Sequence, residues 1–134
     1  MLVGQDEIRR HMLNVPDSPG NLSIEQIKHI TAYGIAHCEY VILEGIFNKE
    51  KYGNMLQGII SSAHIKSYLY YFDLPYEETV RRHHSKVYTD FSAEKLAIWF
   101  VEKDTLNVKN EKLIPETMTQ NDILTMILND LNNE

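Results

Sequence analysis

The stretch Tyr40-Val41-Ile42-Leu43-Glu44-Gly45-Ile46-Phe47 decides the fold class. Its first four residues are continuously apolar, two of them are β-branched, and the run stops at an acid followed by glycine. Such a run suits a short strand covered on both faces, as strands of a parallel sheet are when crossover helices lie on either side. The flanks supply those helices. Upstream, Ser23 with Gln26 three residues later makes a capping box, and Ile24, Ile27, Ile30 or Thr31, and Ile35 recur at helical spacing through about His37. Downstream, Asn48 is placed to cap a helix through about Ser61 that carries Met55, Leu56, Ile59 and Ile60.

Working outward, Leu2-Val3-Gly4 reads as the end of another strand, and Asp6 to Leu13 as a helix whose Ile8 and Met12, four apart, share an apolar face. Val15-Pro16-Asp17-Ser18-Pro19-Gly20 is a loop. Ile65 to Leu74 is an aromatic-rich strand. Pro75 then fits the first turn of a helix, Glu77 and Glu78 suit its positive end, and the helix runs into Arg81-Arg82-His83-His84-Ser85-Lys86. A further helix from about Ser92 to Lys103 carries Leu96, Trp99 and Phe100, and Lys112-Leu113-Ile114 forms a short last strand. Thr119 caps a final amphipathic helix through Ile123, Met126, Ile127 and Leu131. Strands alternating with helices predict an α/β fold on a parallel sheet with right-handed crossovers, in a single domain over residues 1–134.

Composition narrows the function. Thirteen Lys plus Arg against nineteen Asp plus Glu give a formal charge of −6, which argues against a nucleic-acid grip spread over the surface. Hydrophobic residues at 43% and charged residues at 24% are near globular averages, so general disorder is not expected. Cys38 is the single cysteine, which excludes an intrachain disulfide, favours a reducing compartment, and reads as a small buried filler. No apolar run approaches the ~20 residues that span a bilayer. Met1 to Asp6 lacks the basic flank and long apolar stretch of a secretion signal. A cytoplasmic chain with no membrane or nucleic-acid partner is expected.

In open α/β sheets ligands gather at the carboxyl ends of strands. Asp6 and Glu44 fall there. A carboxylate so placed can hold magnesium through water or accept a proton from an attacking hydroxyl. For Asp6 the alternative is a helix cap. For Glu44 an unpaired acid after a buried strand would be costly without a task. Arg9, three residues beyond Asp6, is placed to contact an anionic substrate or to pair with the aspartate. Arg81, Arg82, His83, His84 and Lys86 form the densest basic cluster of the chain. Arginine forks match phosphate oxygens, although cations also favour helix C-termini for their own sake. His29, His37 and Cys38 lack zinc spacing, His83 and His84 are adjacent rather than spaced as in H-E-x-x-H, and Tyr68 to Phe72 reads as a core strand before a base-stacking surface.

QDEIRR after a strand, YVILEGIF, YLYYFDLPYEETVRRH and FSAEKLAIWF together resemble, in order and over nearly the whole chain, the small P-loop kinases of the zeta-toxin and uridine-kinase-like (AAA-type ATP-binding) group. The resemblance implies an ATP-dependent phosphotransferase acting on a hydroxyl of a small molecule or nucleoside, with ATP and magnesium as cofactors. It implies that Asp6 contacts the acceptor hydroxyl and serves as base, that Arg9 holds the substrate, and that Glu44 stands at the Walker B position near magnesium. Arg81, Arg82 and Lys86 would belong to a lid, near residues 81–103, that closes over nucleotide phosphates.

Two departures qualify what is implied. Lys86 stands where the lid pattern often has a second arginine, a point charge in place of a fork. No G-x-x-x-x-G-K-[ST] occurs in these residues, and that segment's amides, lysine and hydroxyl hold the triphosphate and magnesium. By the resemblance, the first strand, phosphate loop and first helix are missing. In the family that strand lies between the Walker B strand and the strand here at Ile65–Leu74, so strand edges are left unpaired. The expectation is a kinase-like chain with impaired or no activity. The alternatives are a binding or regulatory remnant and a partner, possible homo-oligomers included, that exchanges strands.

Overall fold

A computed structural model of the chain describes residues 1–62, 64–89 and 91–133. The chain forms two compact units, Met1–Ser67 and Tyr68–Glu134, and the described strands make two two-stranded parallel sheets. The protein is thus mixed α/β with parallel pairing, as the alternation of elements predicts, but its strands form two small sheets in place of one.

In Met1–Ser67, β1 (Leu2–Gly4) pairs with β2 (Ile42–Glu44), setting Leu2 opposite Ile42, Val3 opposite Leu43 and Gly4 opposite Glu44. A parallel pair needs a crossover, and α1 (Ser23–His37) lies within it; α2 (Lys49–Ile60) follows β2. Strand alternation turns Val3 and Leu43 to one face, where they join Ile8, Ile27, Tyr52 and Met55 in the core. Leu2 and Ile42 remain 69% and 61% exposed, so the apolar run at Tyr40–Leu43 is not covered on both faces. α1 buries Ser23, Ile27, Thr31 and Gly34, a stripe at spacings of three and four.

Two local expectations are corrected here. Ser23 is the first residue of α1 and not its cap; the Asn21 carboxamide oxygen accepts the Ser23 amide at 3.0 Å and its hydroxyl at 2.5 Å, so no Ser23–Gln26 box forms. Glu7–Met12 is a π-helical turn, in which the Leu13 amide reaches back five residues to the Ile8 carbonyl at 3.0 Å. The wider turn rotates Met12 out to solvent and brings Leu13 onto the core beside buried Ile8. The apolar pair is Ile8 with Leu13, not Ile8 with Met12.

In Tyr68–Glu134, β3 (Leu69–Asp73) pairs with β4 (Glu111–Pro115), with Phe72 opposite Ile114. Between them lie α3 (Tyr76–His84) and α4 (Ala93–Trp99), and α5 (Gln120–Asn132) follows β4. α4 ends four residues short of the expected Lys103, because Phe100 is already extended and Lys103 has a positive φ of 52°. Ile114 and Leu96 are buried, and Phe91 stacks on buried His83 with its edge contact to Trp99. Asp130 of α5 accepts from the Tyr70 hydroxyl at 2.7 Å and pairs with Lys112, tying α5 to both strands. Thr119 caps α5, as its sequence predicts, and the structure adds the reciprocal hydrogen bond from the Thr119 amide to Asp122. Cys38 is exposed, so its reading as buried filler is wrong; it follows the last residue of α1, where no core lies over it.

Candidate functional site

Because β1 and β2 are parallel and in register at Gly4 and Glu44, their carboxyl ends lie side by side, and the chain leaves them as Gln5-Asp6 and Gly45-Ile46. The Glu44 carboxylate leans over Gly4: a Cβ placed there would stand 2.7 Å from Oε1. Glu44 itself is exposed, so the argument that a buried acid must have a task does not apply to it. What remains in its favour is its place at the strand end.

Asp6 occupies the cap position of the π-helical turn, yet its side chain makes no capping hydrogen bond. Instead its Oδ1 accepts from Arg9 at 3.0 Å and from Arg10 at 3.1 Å. The cap alternative for Asp6 therefore fails, and the pairing alternative for Arg9 holds. Asp6 keeps a side-chain exposure of 44%. Arg9 is 8% exposed, and its second terminal nitrogen donates to the Val15 carbonyl at 3.2 Å while its Nε is buried without a hydrogen-bond partner. As folded, both terminal nitrogens of Arg9 are engaged, one by Asp6 and the other by the Val15 carbonyl.

Beneath this pair lies a polar junction that no sequence pattern marks. Tyr52, fully buried on α2, donates its hydroxyl to Asp17 Oδ1 at 2.5 Å and accepts from Gln5 at 2.9 Å and Asn21 at 3.4 Å. Lys51 holds the other Asp17 oxygen at 2.9 Å. Burial pushes the Asp17 carboxyl up, but the Tyr52 hydroxyl, Lys51 and Arg9 together outweigh it and hold it below its ordinary 3.8. A depressed folded value stabilises the fold above the unfolded value and loses that support as pH falls through the folded one. Urea midpoints are thus expected to fall below pH 3.8 in the wild type, and Asp17→Asn is expected to flatten that fall while lowering the midpoint at neutral pH.

In the other unit, Glu78 engages both arginines of the basic cluster. Arg81 forks onto it at 2.6 and 2.7 Å, Arg82 Nε reaches it at 2.6 Å, and Arg82 also donates to the Glu116 carbonyl at 3.4 Å. These hydrogen bonds draw the Glu78 carboxyl down to about 2. Lys86 is exposed just past the end of α3. Position 90, inside the lid-like stretch 81–103, lies outside the described residues. Asp6, Arg9 and Glu44 thus belong to Met1–Ser67, and Arg81, Arg82 and Lys86 to Tyr68–Glu134.

No protein-family model, curated protein or solved structure matches this chain. Among the described residues no group of three His, Cys, Asp or Glu side chains could hold a metal, and no helix is long and apolar enough to cross a membrane. Magnesium commonly keeps several waters and takes one or two carboxylates, so exposed Glu44 suits it only as a single, indirect partner. The residues present do not fit a triphosphate: the amide nest, lysine and hydroxyl that would cradle it are not in the sequence.

Proposed function

We propose that this chain is a cytoplasmic, P-loop-kinase-type protein that carries the acceptor half of a phosphotransfer site. It binds a small molecule or nucleoside through a hydroxyl and has little or no phosphotransferase activity of its own. Strand pairing is the observation that carries this reading. P-loop kinase sheets are built of parallel strands joined by helical crossovers, with ligand-facing groups at the strands' carboxyl ends. The pairs β1–β2 and β3–β4 are of that kind. The strand ends carrying Asp6 and Glu44, aligned side by side, support it further.

In this proposal Asp6 accepts a hydrogen bond from the acceptor hydroxyl, and Arg9 and Arg10 fix the carboxylate that does so. Its exposure leaves Asp6 reachable. Arg81 and Arg82 would meet phosphate only after releasing Glu78. Calorimetric titration tests the proposal. A member of a panel of nucleosides and nucleoside monophosphates is expected to bind, and Asp6→Ala to weaken it roughly 10- to 100-fold, the worth of a charge-assisted hydrogen bond. Magnesium-ATP is expected to show no micromolar binding and no transfer. Micromolar magnesium-ATP affinity, or a panel that shows no binding to the folded chain, would overturn the assignment.

A further inference from the structure

We infer that Val15–Gly20 is a strap closed over Arg9, latched by Asp17 onto Tyr52 and Lys51, and that its opening delivers the Arg9 fork to an anionic group of a ligand. The inference rests on the proposed acceptor site only in naming what that ligand is for.

The strap is held at three places. At its start, the Val15 amide donates to the Arg9 carbonyl at 3.0 Å while the Val15 carbonyl takes one terminal nitrogen of the Arg9 guanidinium. At its middle, both oxygens of Asp17 are gripped by adjacent residues of α2, Lys51 and Tyr52. A tyrosine hydroxyl both donates and accepts, and Tyr52 does both here: Asp17 takes its proton, Gln5 donates to it, and Asn21 adds a longer contact at 3.4 Å. One hydroxyl therefore joins the residue before Asp6, both sides of the strap, and α2.

The third hold is Asn21, buried just past the strap, whose side-chain and backbone amides both donate to the Ser18 carbonyl, at 2.8 and 3.2 Å. Pro16, Ser18, Pro19 and Gly20 are exposed and Val15 is half-buried, so opening the strap forfeits mainly polar bonds that water can replace, with the partial burial of one valine. Asn14 and Gly20, at either end, have φ of 49° and 71°, which gives the segment sharp bends at its two boundaries. Swinging Val15 away would leave an arginine fork beside Asp6 with a vacant terminal nitrogen. The buried Nε, already without a hydrogen-bond partner, is a second donor that a bound oxyanion can satisfy.

The test uses the full chain and two variants that spare the core. Tyr52→Phe keeps the buried ring against Phe47 and deletes only the hydroxyl; Lys51→Met acts at the rim. Amide hydrogen exchange, normalised to α1, is expected to speed up at least tenfold at Val15 and Asn21 in both. Inorganic phosphate, titrated while the Arg9 side-chain Nε–H resonance is followed, is expected to bind both variants more tightly than the wild type. Unchanged exchange at Val15 and Asn21, or unchanged phosphate affinity, overturns the strap. Since exchange is read with no ligand and the phosphate arm uses no nucleoside, failure here is separate from failure of the acceptor assignment, which would show as no nucleoside binding.

Discussion

Replacing Tyr52 with alanine is expected to unfold the Met1–Ser67 unit at 25 °C, or to leave it barely folded. The residue is fully buried, and its ring meets Phe47 edge-on at a centroid distance of 5.3 Å. Truncating a buried aromatic to alanine costs about 3–5 kcal/mol through lost transfer energy and the cavity left behind. Here the hydroxyl leaves as well, and Asp17, Gln5 and Asn21 lose their shared partner. A buried polar group stripped of its partner adds about 1–3 kcal/mol. Domain stabilities of about 5–15 kcal/mol leave little in reserve against that sum, and among the described residues the buried core of this unit has only Val3, Ile8, Ile27 and Met55 as its other apolar members. Tyr52→Phe, by contrast, should lose only the hydroxyl's share. Near-ultraviolet circular dichroism and urea melts of the two variants decide this, and a Tyr52→Ala protein as stable as Tyr52→Phe would show that the cavity is refilled.

The contrast between what the sequence discloses and what it hides follows the range of each interaction. α1, α2, α3 and α5 were legible because their apolar spacing and their breakers are local: Pro75 opens α3, and Thr119 with Asp122 closes its own box. The short strands were legible from runs such as Tyr40–Leu43, but coverage of their faces was not, since a run of apolar residues does not say what packs on it. The π-helical turn escapes a sequence reading because a 3.6-residue period does not fit the wider helix and puts Met12 where Leu13 belongs. The hold of Glu78 on Arg81 and Arg82 was visible at spacings of three and four, yet its position in the first turn of a helix offered a sufficient reason for an acid. Asp17 and Tyr52 lie 35 residues apart, and nothing in either neighbourhood announces the other. Of the candidate site, the acids at strand ends were therefore readable, and the junction that steadies them was not.

Gly45→Ala should produce the second large loss, about 3 kcal/mol, and it probes that junction from the strand side. Gly45 has φ of 153°, outside what residues with a Cβ readily adopt, and strain of that kind costs on the order of 1–3 kcal/mol. Crowding adds to it, since an added methyl would stand 2.5 Å from the Cβ of Gln5. Gln5 is 2% exposed and cannot swing into solvent. Relief must come from the backbone at the ends of β1 and β2, or from pulling the Gln5 carboxamide off the Tyr52 hydroxyl. Gly20→Ala is the matched control. Its φ of 71° imposes comparable backbone strain, but nothing lies within 4 Å of the added methyl, so only about 1 kcal/mol should be lost. Urea midpoints at unchanged slope measure both. A Gly45→Ala loss no larger than that of Gly20→Ala would mean that Gln5 yields freely, and that the strand end carrying Asp6 is not braced through it.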